Sequence, residues 1–75
     1  MTTTITATAA ANTADVQNIL RIMADEMRAE NWTAANMAAS LAHKTIVDLM
    51  GADEADPDAN TEAANVVLNA IAAVA

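Results

Sequence analysis

The sequence predicts an all-α protein: a small three-helix hairpin or bundle with an extended or disordered N-terminal arm. Three observations carry this prediction. The 75 residues include 21 alanines but one glycine, one proline and no Phe or Tyr, which leaves a sandwich, barrel or Rossmann-type sheet without its turn residues and its β-branched and aromatic runs. Apolar residues recur at helical spacing in three blocks, 14–30, 33–50 and 57–75. The lone Gly51 and the pair Asp56-Pro57 stand where one helix should end and the next begin. A chain this short makes a single helical domain, 13–75, near the lower limit for folding alone.

Residues 1–12 carry no charged side chain and alternate Thr with small or apolar residues around Ile5. The branched Cβ of threonine favours extended backbone, and nothing else in the chain would pair with such a strand. The segment reads either as a disordered tail or as an arm that docks on a neighbouring subunit.

In the first helix, 14–30, Thr13 is placed to cap and Asp15 complements the dipole of the first turn. Val16, Ile19, Leu20, Met23 and Met27 fall on about a third of the circumference. Ile22 is the misfit, standing among Asp15, Glu26 and Ala29. Asn31 and Thr33 favour a break before the second helix, although neither Gly nor Pro forces one.

The second helix, 33–50, gathers Ala35, Ala38, Ala39, Leu41, Ala42, Ile46, Leu49 and Met50 on an apolar arc. Asn36, Ser40, His43, Lys44 and Asp48 form the polar one, with Val47 as its misfit. Gly51 should supply the left-handed residue that closes the helix.

Asp56 is the expected N-cap of the third helix, with Pro57 at the first helical position, where its missing N–H is harmless. Val66, Val67, Leu68, Ile71 and Val74, with five alanines, cover most of this cylinder, leaving a narrow stripe of Glu62, Asn65 and Asn69. A helix apolar over some two-thirds of its surface wants more than one neighbour. The expected interface is therefore Ile22, Trp32, Val47, Val66, Val67, Leu68, Ile71 and Val74. For Ile22 and Val47 the competing explanation is a single exposed apolar residue, which is ordinary. Trp32, the sole aromatic, is either a lid over the core or an interface anchor. The four internal methionines suit core filling better than an adaptable groove.

The charge excludes some functions. Ten acids against three bases give −7, which argues against direct nucleic-acid binding. With no cysteine there is no disulfide framework, thiolate nucleophile or Cys-ligated zinc. Met1–Asn12 holds no Lys or Arg ahead of an apolar stretch, unlike a secretory signal, so Asn31-Trp32-Thr33 is not expected to be glycosylated. No uncharged apolar run approaches the ~18 residues of a membrane span.

An acidic patch, Asp53, Glu54, Asp56, Asp58 and Glu62, lies within ten positions. The spacing of Asp56, Asp58 and Asn60 imitates the start of an EF-hand loop, but Thr61 takes the glycine position and Val67 that of the bidentate Glu. Acids complementing a helix start are the simpler explanation, and no metal or cofactor is expected. Ser40, His43 and Asp48 share one helix side, which cannot position nucleophile, base and orienter together.

The expected function is that of a non-enzymatic structural or assembly protein that self-associates or packs into a larger complex, in the cytoplasm or a virion (phage-associated components included). The alternatives are an acidic inhibitor or adaptor that binds a basic partner surface as a nucleic-acid mimic would, and an accessory subunit of a larger complex.

Overall fold

A computed structural model describes residues 5–53 and 55–74, which contain four helices and no strand. These are α1 (Ala7–Ala11), α2 (Ala14–Arg28), α3 (Trp32–Leu49) and α4 (Pro57–Val74). The all-α bundle is as predicted, and the three long helices lie within two residues of their expected bounds.

The N-terminal arm is the first correction. Residues 1–4 and Glu54 lie outside the described residues, but Ala7–Ala11 is a helix and not an extended or disordered segment. Five residues are too few to form a helix unaided; both ends of α1 are held by the rest of the chain. The Thr6 hydroxyl accepts a hydrogen bond from the Ala9 amide at 3.1 Å, capping the start. At the other end the Thr13 hydroxyl donates to the Ala10 carbonyl at 2.7 Å and the Gln17 side chain to the Ala11 carbonyl at 2.6 Å. Thr13 therefore precedes α2 in extended geometry, as a cap does, but its side chain closes α1 and does not cap α2. Ala7, Ala10 and Ala11 are buried against the other helices.

The break between α2 and α3 follows from backbone geometry. Glu30 takes a left-handed φ of 60°. Its amide donates to the Met27 carbonyl at 3.0 Å, and the Asn31 amide reaches back to Glu26 at 2.9 Å. That pair of bonds is a Schellman motif, and it stops α2 at Arg28. Gly51 (φ 74°) closes α3 in the same way, with amide bonds from Gly51 to Asp48 and from Ala52 to Val47. The Asp56 carboxylate accepts from the amides of Asp58 and Ala59 at 3.0 and 3.3 Å, so the predicted N-cap of α4 forms.

The core holds Val16 and Met23 from α2, Ala38, Ala42, Ile46 and Val47 from α3, Ala59, Ala63 and Val67 from α4, and the α1 alanines. Alanines wholly removed from solvent in three different helices (Ala10, Ala42, Ala63) let the helix axes approach to the short end of the usual 8–10 Å.

Candidate interaction surface

Short connections make α2 and α3 an antiparallel hairpin, which packs more extensively together than any other pair of helices. One side of the hairpin receives α4, which also contacts α1. Away from that side, Ile19 and Ile22 of α2 and Ala34, Met37, Ala38 and Leu41 of α3 line an open groove of about 480 Å³. Ile22 is 54 % exposed, Leu41 53 % and Met37 70 %. The walls are almost wholly hydrocarbon, with no array of polar groups to orient a reacting substrate. Contiguous apolar patches of this kind occur at protein–protein contacts and in ligand-binding grooves.

The predicted interface residues divide. Ile22 is exposed and lines the groove. Val47 does not stand at the surface: it is 1 % exposed and belongs to the core. It shares a small recess with His43, Lys44 and Asn60, where the start of α4 comes against α3. The His43 ring nitrogen Nε2 lies 3.2 Å from the Asn60 carbonyl. Val67 is likewise buried, and Val66, Ile71 and Val74 are half-buried by their own chain.

The reading of α4 as a rod that only a second molecule could cover is thus corrected. Ala59, Ala63 and Val67, spaced four apart, make one inward stripe, and α1, α2 and α3 share the task of covering α4. Its outward side carries Thr61, Glu62, Asn65 and Asn69, with Leu68 the large apolar residue left there at 59 % exposure.

Leu41, Met37 and Ile19 are the groove residues that sequence reasoning missed. The sequence places Leu41 and Ile19 on core-facing stripes and favours core filling over a groove for Met37. A signal did exist: Ile19 and Ile22 are three apart and Met37 and Leu41 four apart, so each pair occupies one helix face.

Trp32 opens α3 at 58 % exposure, beside a cleft of about 300 Å³ that it forms with Met23, Met27, Ala35, Asn36 and Ile71 among others. It borders the core without sealing it. Asp53, Asp56, Asp58 and Glu62 are exposed near the start of α4; Glu54 lies outside the described residues. The Asp53 carboxylate accepts from the Ala55 amide at 3.0 Å, so with Asp56 two of these acids serve the local backbone. Among the described residues no three His, Asp or Glu side chains are grouped to hold a metal ion, and no helix is long and apolar enough to cross a membrane.

No family model matches the chain, and neither a curated protein nor a solved structure matches it.

Proposed function

We propose that this chain is a non-enzymatic assembly protein whose docking surface is the α2–α3 groove. The observation that carries the proposal is the exposure of Ile22, Met37 and Leu41 together on one open apolar groove, whereas Trp32 and Leu68, exposed to a similar degree, do not line it. Leaving three side chains more than half exposed forgoes about 1–2 kcal/mol each relative to full burial, which association would recover. The acidic-adaptor reading draws less support, because Asp53 and Asp56 are engaged in turn and cap hydrogen bonds.

The test is the mass in solution by light scattering at micromolar concentrations. A multiple of 7.7 kDa supports assembly through contacts that this chain itself makes. A monomer over the whole concentration range contradicts it.

A further inference from the structure

We propose that the turn between α2 and α3 is a hinge, and that two copies of this chain at high concentration open it and exchange halves. In the exchanged dimer α2 runs on into α3 as one helix, and α1 and α2 of each copy pack on α3 and α4 of the other. The exchange does not depend on what covers the groove, whose two walls would then come from different copies.

The local chemistry of the turn favours opening. Arg28 to Thr33 are all exposed, so no core side chain holds the chain in its bend. Glu30 carries a Cβ at φ 60°, where every residue but glycine is strained. Asn31 sits at the N-cap of α3 with no side-chain hydrogen bond to the first turn. The bend itself rests on two backbone bonds, from the Glu30 amide to the Met27 carbonyl and from the Asn31 amide to that of Glu26. In a continuous helix both amides keep a partner, as the acceptors become Glu26 and Met27. The amides of Trp32, Thr33 and Ala34 gain the carbonyls of Arg28, Ala29 and Glu30 as well. Neither Gly nor Pro interrupts residues 14–49, and Met27, Arg28, Ala29 and Glu30 are strong helix formers.

The turn between α3 and α4 offers the contrast. Its left-handed residue is Gly51, which is unstrained there, and Pro57 would break any helix that continued through it.

The hinge divides the core. Ala7, Ala10, Ala11, Val16 and Met23 lie before it, and the buried residues of α3 and α4 lie after it. Every contact of α1 and α2 with α3 and α4 is remade between copies, so the exchanged dimer buries the same core and relieves two strained turns. Short strained hinges invite such exchange. The inward residues of the two halves, Val16 and Met23 against Ala38, Ala42 and Ile46, lie about a quarter turn apart on one helix. Both stripes therefore face a partner that wraps gently around it. That helix, 14–49, is roughly 54 Å long, whereas the single chain measures 43 Å along its longest axis.

The test is to refold the full chain from urea at millimolar concentration, dilute it to micromolar, and follow it by sedimentation velocity and small-angle X-ray scattering. A dimer of 7.7 kDa chains should survive dilution, because parting requires the core between α2 and α3 to open, and its longest dimension should exceed 43 Å. Glu30→Gly accepts the left-handed turn and disfavours the continuous helix, so it should raise the dissociation constant about tenfold or more. Glu30→Ala keeps the strain and favours the helix, so it should hold or lower that constant. Ile22→Lys, outside the exchanged core, should change it by less than about threefold. No dimer after refolding, or equal effects of Gly and Ala at position 30, overturns the exchange. A dimer that re-equilibrates at once on dilution and vanishes with Ile22→Lys is a groove contact; it overturns the exchange and leaves the assembly reading standing. A chain that stays monomeric until it is refolded at millimolar concentration, and then exchanges, overturns the assembly reading alone.

Discussion

Glu30 and Gly51 hold the same left-handed conformation, at φ 60° and 74°, in the same two-bond motif at the ends of α2 and α3. Glycine adopts it freely, whereas a residue with a Cβ is strained there by roughly 1 kcal/mol. Glu30→Gly should therefore stabilise the fold by about 1 kcal/mol and raise Tm by about 4–8 °C. Glu30→Ala keeps the Cβ and should give no such gain. Thermal denaturation of the two variants side by side checks the origin of the effect.

Asp56 should behave as a cap. Asp56→Ala leaves the Asp58 and Ala59 amides without their acceptor and should cost about 1 kcal/mol in urea denaturation. Asp56→Asn retains a capping oxygen and should recover most of it. Equal losses for Asn and Ala would mean that the charge matters more than the hydrogen bonds.

Removing residues 1–12 should destabilise the domain and leave the groove intact. Ala7, Ala10 and Ala11 are buried, and the parts of α3 and α4 that α1 contacts would be wetted. A loss of about 2 kcal/mol is expected from three methyls at ~0.8 kcal/mol each, with a smaller urea m-value because less surface remains to be exposed. A segment that served only as an arm to a neighbouring subunit would change the mass and not the m-value.

Packing at Ala63 should tolerate no growth. It is wholly buried on α4, and Ala63→Leu should cost about 1–3 kcal/mol through displacement of a neighbouring helix. Leu68→Ala, on the exposed side of the same helix, should change stability by under about 0.5 kcal/mol. The difference between the two midpoints measures how fully the chain covers α4 by itself.

The three long helices were legible because local chemistry specifies them: the stripe from Val16 to Met27, the left-handed glycine at 51 and the Asp56-Pro57 start all act within one turn. The α1 helix was not: the threonines before it favour extended backbone, its five residues, four of them alanine, are too few to form a helix alone, and its end is tied by Thr13 and Gln17, contacts that exist only once α2 is formed. Val47 misled for a similar reason. Its neighbours His43 and Lys44 are polar, yet α3 buries one side against α2 and another against the start of α4, so an apolar residue off the main stripe has a second helix to meet. Ile22 has no such helix in its own chain, and there the mismatch between residue and surroundings did mark the surface. Leu41 shows the converse, an apolar residue in register with the core stripe but rotated past the point where α2 can cover it.

Methionine oxidation follows solvent access, and Met37 is 70 % exposed in the single chain while Met23 is 1 % exposed. The rate at which dilute peroxide oxidises Met37, followed by peptide mass spectrometry, therefore tests most directly whether the groove is covered in solution. Met37 should oxidise several-fold more slowly in the native protein than in Ile22→Lys, with Met23 slow in both. Equal and fast oxidation of Met37 in the two proteins would show an open groove and contradict the account.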